Sequence, residues 1–280
     1  SLYWNDPVNQ AVMALWQAGI VVVTSAGNTG PDAMTIGVPG NLPYVITVGA
    51  MTDNETTEIP DDDSLAVFSS AGPTVEGFVK PEVVAPGSRL LGLMEKNARI
   101  GKDHDSYFYD EDQFMMSGTS QSTAVVSGIV ALMLQQDPWL TPDQVKCRLM
   151  DGAEPAVLGQ DQLAYSVFQQ GAGMVNAFAA AYSHASDCAN NGLNLIADFL
   201  RIKHYAGPAR RHEDGTYFIE GVQGMEWDGY YTSQHSHGFE QDFAWNDGYL
   251  WKDAASWDQV SLWESGYMWK DGYMWKDGYM

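Results

Sequence analysis

Basic residues are scarce in this sequence. Fourteen lysines and arginines stand against 36 aspartates and glutamates, a formal net charge of −22. A surface of that sign repels phosphate backbones and anionic lipid, which argues against nucleic acid and membrane surfaces as partners. Long apolar runs are missing too. Spanning a bilayer as a helix takes about 18 or more consecutive apolar residues, and the longest candidates, residues 19–23 and 125–134, are short or interrupted. The chain therefore reads as soluble, with no membrane span. Cysteine is nearly absent: Cys147 and Cys188 are too few for a disulfide framework or a zinc site, and their spacing leaves open whether they pair. The opening, SLYWNDPVNQ, has no initiating Met and no basic or apolar region of a signal peptide, so it reads as the interior of a longer chain.

What is present falls into three stretches of different composition. Residues 1–182 alternate helical and strand-like segments, which predicts an α/β domain. Val8, Val12, Leu15 and Trp16 recur at helical spacing within residues 6–18. GIVVVTSAGN then reads as a strand buried on both faces of a parallel sheet, with PYVITVGAM as a second strand and KPEVVAPG as a short third. Residues 120–136 and 141–150 read as helices, the latter capped by Thr141 with Pro142 in its first turn. AYSVFQQGAGMVNAFAAAYS closes the stretch and reads as a small-residue helix. Residues 183–225 read as a linker or extension of unknown role, AGPARRHEDG looking like a loop.

Residues 226–280 hold a repeat. Trp245, Trp251, Trp257, Trp263, Trp269 and Trp275 are spaced six apart, Trp227 shares their phase, and the consensus is W-K-D-G-Y-M. Asp-Gly is a tight-turn pair. The repeat predicts either short β units that pool their aromatic faces or a tail without fixed structure.

The stretch MMSGTSQSTAVVSGIVALML raises the chemical question. Ser120 stands where the helix begins, its hydroxyl and backbone N–H at the positive end of the helix dipole. Gly118 permits close approach of a substrate, and Thr119 can tie down the turn. A lone serine at such a place is more often a simple cap. Here SGTSQSTAVVSG resembles the nucleophile signature of the subtilisin-like serine peptidases, the subtilases. Four further blocks resemble the family in order: DPVNQAVMALWQAGIVVVTSAGNTG, LPYVITVGAM, FSSAGPTVEGFVKPEVVAPG, and LTPDQVKCRLMDGA with GAGMVNAFAAA.

The resemblance implies a partial subtilisin-like doubly wound parallel sheet over residues 1–182. It implies Ser120 as nucleophile and the Asn28 side chain as oxyanion donor beside the Ser120 backbone N–H. Ser25, Ala26 and Gly27 would wall the pocket for the residue before the cleaved bond, and Ser1 and Leu2, leading to Tyr3, would form the facing substrate strand. The residues alone would leave Asn28 as an ordinary turn residue. The family implies a peptide or protein substrate, secretion, no organic cofactor, and calcium as a frequent stabiliser. No calcium ligands suggest themselves, since Asp61, Asp62 and Asp63 read equally well as a solvated loop.

A serine needs a base, and the subtilase order is Asp, His, Ser. Neither D-[ST]-G nor H-G-T-H occurs. His104 lies in an acidic insertion between Asp103 and Asp105, outside any H-G-T-H context. His235 and His237 lack a third metal ligand. The expectation is a subtilase fragment, inactive alone, whose Asp and His lie in an upstream segment or a separate chain. The alternative is a non-catalytic relative whose aromatic tail serves adhesion or self-association. Ala124, where the family usually has proline, and Gln121, where Met is commoner, depart slightly from the pattern.

Overall fold

Parallel pairing organises the computed structural model, which describes residues 2–56, 63–158, 163–222 and 224–231 and the backbone of 255–256. Helix α1 (Pro7–Gln17) starts where Asp6 accepts hydrogen bonds from the backbone N–H groups of Val8 and Asn9. Strands β1 (Val23–Ser25) and β4 (Val83–Pro86) run parallel to β2 (Ile46–Thr52), and the short β3 (Ser64–Leu65) lies antiparallel on β2. The hairpin of β5 (Leu90–Leu93) and β6 (Gln113–Met116) encloses a short α2 (Arg99–Asp103) and delivers the chain to α3 (Thr119–Gln136). That helix packs across β1, β2 and β4.

Met13 and Trp16 of α1, Ile46 and Val48 of β2, and Val126 and Met133 of α3 share the main core. Helix α4 (Pro142–Asp151) opens with a reciprocal Thr141–Gln144 capping box, as its sequence predicts. The closing small-residue segment is broken into α5 (Val167–Gln170) and α6 (Ala177–Tyr182). At the break, a side chain on Gly171 would strike the carbonyl oxygens of Pro81 and Glu82 at 2.3 Å, and its φ is +59°.

One expectation needs correction. The run leading into β1 is not buried on both faces: residues 21–23 are half-buried and Ile20 is 49% exposed. Among the described residues β1 has only β2 beside it, so it is an edge. Helix α3 behaves similarly. Its sequence is apolar or small on every side, the pattern of an enclosed helix, yet Ala124, Gly128, Ala131 and Leu132 are exposed.

Residues 183–231 fold back onto the sheet domain. Helix α7 (Leu195–Phe199) packs on α1, and β7 (Tyr205–Ala206) is followed by a hairpin of β8 (Ala209–Arg211) and β9 (Tyr217–Ile219). AGPARRHEDG thus supplies strand residues where a loop was expected. Cys147 and Cys188 form a disulfide with a Cα–Cα distance of 5.2 Å. Buried Asp198 accepts from the hydroxyls of Tyr3 at 2.5 Å and Tyr44 at 2.9 Å, and lies 2.7 Å from His204 Nδ1. Phe168 meets Tyr217, Ile219 and Trp227 in a second apolar cluster. The backbone of β10 (Ala255–Ser256) pairs with β7. The six repeat tryptophans from Trp245 onward lie outside the described residues.

Candidate active site

Helix α3 begins at Thr119, so its first N–H groups have no partner inside the helix. The carbonyl of Gly118 takes two of them, from Gln121 at 3.0 Å and Ser122 at 3.4 Å. Thr119 N–H donates instead to Asn28 Oδ1 at 2.9 Å, and the Thr119 hydroxyl reaches the same oxygen at 2.9 Å. That hydroxyl also accepts from Gly27 N–H at 3.2 Å. A backbone N–H can only donate, so the atom facing it must be the Asn28 oxygen and the amide nitrogen must point away.

What remains is specific. Among the described residues, neither the Ser120 backbone N–H nor Asn28 Nδ2 has a hydrogen-bond partner, and the Ser120 hydroxyl has none either. Two unpaired donors therefore accompany an exposed hydroxyl at the positive end of an 18-residue helix. Gly118 keeps this space open: a side chain there would sit 3.2 Å from Asn28 Nδ2 and 2.8 Å from Gln121 Oε1.

The segment facing the helix is held as tightly. Ala26, fully buried, donates to the Val48 carbonyl at 2.9 Å and accepts from Gly37 N–H at 2.9 Å. The Gly27 carbonyl accepts from Ser70 N–H at 3.0 Å, and Ser70 Oγ accepts from Thr29 N–H at 3.2 Å. Gly27 has φ +117°, and a side chain on it would meet Ser70 Oγ at 2.8 Å. The structure thus brings Gly27, Asn28, Gly118, Thr119 and Ser120 together, with Ser25 and Ala26 on the strand that leads in. Leu2 packs against the main core and makes no hydrogen bond to Asn28 or Ser120, while Ser1 lies outside the described residues.

Two supports escaped the sequence reading. Gly87, at the end of VVAPG, accepts from Gly118 N–H at 2.7 Å, and a side chain there would overlap Ser122 Oγ. Ser122, fully buried, donates to the Ala85 carbonyl at 3.0 Å and fixes the first turn of α3 to β4. The quoted VVAPG and SGTSQS blocks contain both residues, but nothing local in either says that they touch.

No histidine among the described residues hydrogen-bonds Ser120. His104 ends α2 on the surface, His204 is stacked on Trp4 with ring centroids 4.4 Å apart, and His212 is stacked on Phe218. His235, His237, Asp61 and Asp62 lie outside the described residues. Among the described residues no group of three or more His, Cys, Asp or Glu could hold a metal ion. No helix among them is long and apolar enough to cross a membrane.

Comparison with known proteins bears on this geometry. The profile of the subtilase family, peptidase S8, matches residues 3–175. The serine protease AprX of Bacillus subtilis (strain 168) is 49% identical over 150 residues, covering 54% of this chain and 34% of that protein. Subtilisin DY of Bacillus licheniformis is 32% identical over 179 residues, covering 63% of this chain and 52% of its own length. Among solved structures, fervidolysin from Fervidobacterium pennivorans aligns over 62% of this chain and 24% of its own, with 24% identity and a TM-score of 0.47. The chain spans only about a third of AprX and half of subtilisin DY.

Proposed function

We propose, from the premise that this chain belongs to the subtilase family, that it carries the nucleophile and oxyanion site of a serine endopeptidase. The base and its acid partner would lie on polypeptide outside this sequence, upstream or in a separate chain. The observation that carries this reading is the pairing pattern at the helix start. Thr119 occupies Asn28 Oδ1 twice over, which leaves Asn28 Nδ2 and the Ser120 N–H as unpaired donors beside the Ser120 hydroxyl.

In this reading Ser120 Oγ attacks the scissile carbonyl carbon while a histidine supplied elsewhere takes its proton. The carbonyl oxygen becomes negative and is met by Asn28 Nδ2 and the Ser120 N–H, preset donors that need no reorganisation. The histidine returns the proton to the leaving amine, giving an acyl-enzyme. Water then attacks the ester, releasing the acid and restoring Ser120. The segment from Ser25 to Gly27 would line the substrate. Peptide or protein is the substrate class.

The exposed face of α3 and the edge of β1 support an additional segment against this domain, since both carry the apolar character of enclosed elements. The disulfide supports an oxidising, extracellular setting. Calcium, which the family often carries, stays without an assigned site. A non-catalytic protein working through its tail is the weaker reading, because it gives Asn28 no reason to be held with its amide nitrogen free.

An organophosphonate probe for activated serines tests the proposal. Enzyme made from the complete gene should acquire one adduct, mapped by mass spectrometry to Ser120 and absent from Ser120→Ala. This chain alone should stay unlabelled. Labelling of the isolated chain, or a complete protein that takes no probe, would overturn the reading.

A further inference from the structure

The tail repeat has one relative inside the described residues, and its structure is informative. Residues 227–230 read Trp-Asp-Gly-Tyr. Trp227 is buried against Phe168 and Tyr217, each with ring centroids 6.0 Å from it, and Trp227 and Tyr217 exchange backbone hydrogen bonds of 2.7 and 2.8 Å. The indole N–H donates to the Tyr230 carbonyl at 2.8 Å, and Asp228 accepts from Tyr230 N–H at 3.0 Å. Gly229 turns the chain at φ +88°, where a side chain would press on the Tyr217 ring at 3.3 Å. The unit is a closed turn that buries its tryptophan and presents its carboxylate and tyrosine outward.

Beside this turn lies a cleft of about 290 Å³, close to the lower bound of about 300 Å³ for small-ligand sites. Leu158, Tyr165, Glu226, Asp228 and Tyr230 are among the residues that line it. Tyr230 is 68% exposed, Glu226 and Asp228 are exposed, and neither carboxylate has an ion-pair partner among the described residues. A cleft lined by aromatic rings and two exposed carboxylates suits a ligand that joins a flat apolar ring to a cation.

The end of this chain has that composition. Residues 269–274 and 275–280 each read Trp-Lys-Asp-Gly-Tyr-Met, and Lys270 and Lys276 are among the tail's few cations. The backbone pairing of β10 with β7 returns the tail to the domain surface. From there the chain reaches Trp269 within about 40 Å, at 3.3 Å per extended residue.

We propose that this cleft receives one Trp-Lys-Asp-Gly-Tyr-Met unit of residues 269–280 from the same chain. The incoming indole lies against Tyr230 and Leu158, and its lysine pairs with Glu226 and Asp228. The inference stands apart from the peptidase reading and does not rest on it.

Zero-length carbodiimide coupling of the full chain at low concentration, followed by peptide mass spectrometry of the monomer fraction, tests it. Lys270 or Lys276 should be joined to Glu226 or Asp228. Tyr230→Ala leaves both carboxylates and the backbone bonds in place, and should lower that yield about fivefold, the factor one aromatic contact supplies. Its near-ultraviolet circular dichroism should stay at the wild-type level. In the wild-type chain, excess free peptide of sequence Trp-Lys-Asp-Gly-Tyr-Met-Trp-Lys-Asp-Gly-Tyr-Met should compete the coupling away, which keeps the test valid if the variant misfolds. Links scattered over other carboxylates and indifferent to the competitor would refute the seat. So would links found only between chains in a dimer fraction.

Discussion

Glu76 is a carboxylate with nowhere to spread its charge. It is fully buried, Oε1 accepts from Tyr3 N–H at 2.7 Å, and Oε2 has no hydrogen-bond partner among the described residues. Burial pushes its pKa up from 4.5 to about 7, with the Tyr3 bond pulling the other way. The native state therefore binds the Glu76 proton more tightly than the unfolded chain. Its contribution to stability is fully present below 4.5 and is lost as pH rises through about 7. Glu76→Gln keeps the shape and the acceptor for Tyr3 but cannot ionise. All other titrating groups are common to both proteins, so their difference in unfolding free energy isolates this one proton. Proton linkage between those two pKa values costs the wild type about 1 kcal/mol at pH 5 and about 3 kcal/mol at pH 8. The variant should thus gain about 2–3 kcal/mol on the wild type across that interval. Urea unfolding followed by tryptophan fluorescence at both pH values measures it, provided the two m values agree. The unpaired Gln amide adds a penalty of about 1–3 kcal/mol that does not vary with pH. A difference between the proteins that is flat from pH 5 to pH 8 would refute the reasoning.

Other perturbations follow from the same packing. Glu82 Oε1 takes both buried ammonium groups, Lys80 at 2.6 Å and Lys146 at 2.8 Å, so Glu82→Gln should cost about 3–5 kcal/mol in chemical denaturation; a loss below about 1 kcal/mol would contradict an ion-paired cluster. Reducing the Cys147–Cys188 bond, which closes a 41-residue separation, should cost about 4 kcal/mol by chain entropy and lower the urea midpoint accordingly. In the complete enzyme, Asn28→Ala should lower kcat about 10²–10³-fold with KM nearly unchanged, the loss established for such a donor in a subtilisin rather than one worked from this geometry. Equal changes in kcat and KM would speak against an oxyanion role.

The helix starts were legible because their signals are local. Thr141, Pro142 and Gln144 lie within one turn, and the same is true of Asp6 and Pro7. The contact of Asn28 with Thr119 spans 91 residues, and only the ordered family blocks pointed to it. The exposure of β1 and α3 was illegible because an apolar run records what a segment is suited to pack against, not what lies beside it. Strands β8 and β9 are three residues each, too short to show an alternation. Arg210 disguised β8 further: its guanidinium turns back to the Gly207 and Ala209 carbonyls and to Glu220. Glu76, Glu82 and Asp198 were indistinguishable from the many surface acids of a −22 chain.

The bond between Tyr3 and Asp198 has a bearing on biosynthesis. Its two residues are 195 positions apart. At about 5–20 residues per second of translation, Asp198 is added roughly 10–40 s after Tyr3. Through that interval the N-terminal helix lacks α7, its Tyr3 hydroxyl lacks its carboxylate, and the first strands wait with apolar faces open. Closure of the α1–α7 face is therefore a late step, one that waits for a residue encoded 195 positions downstream.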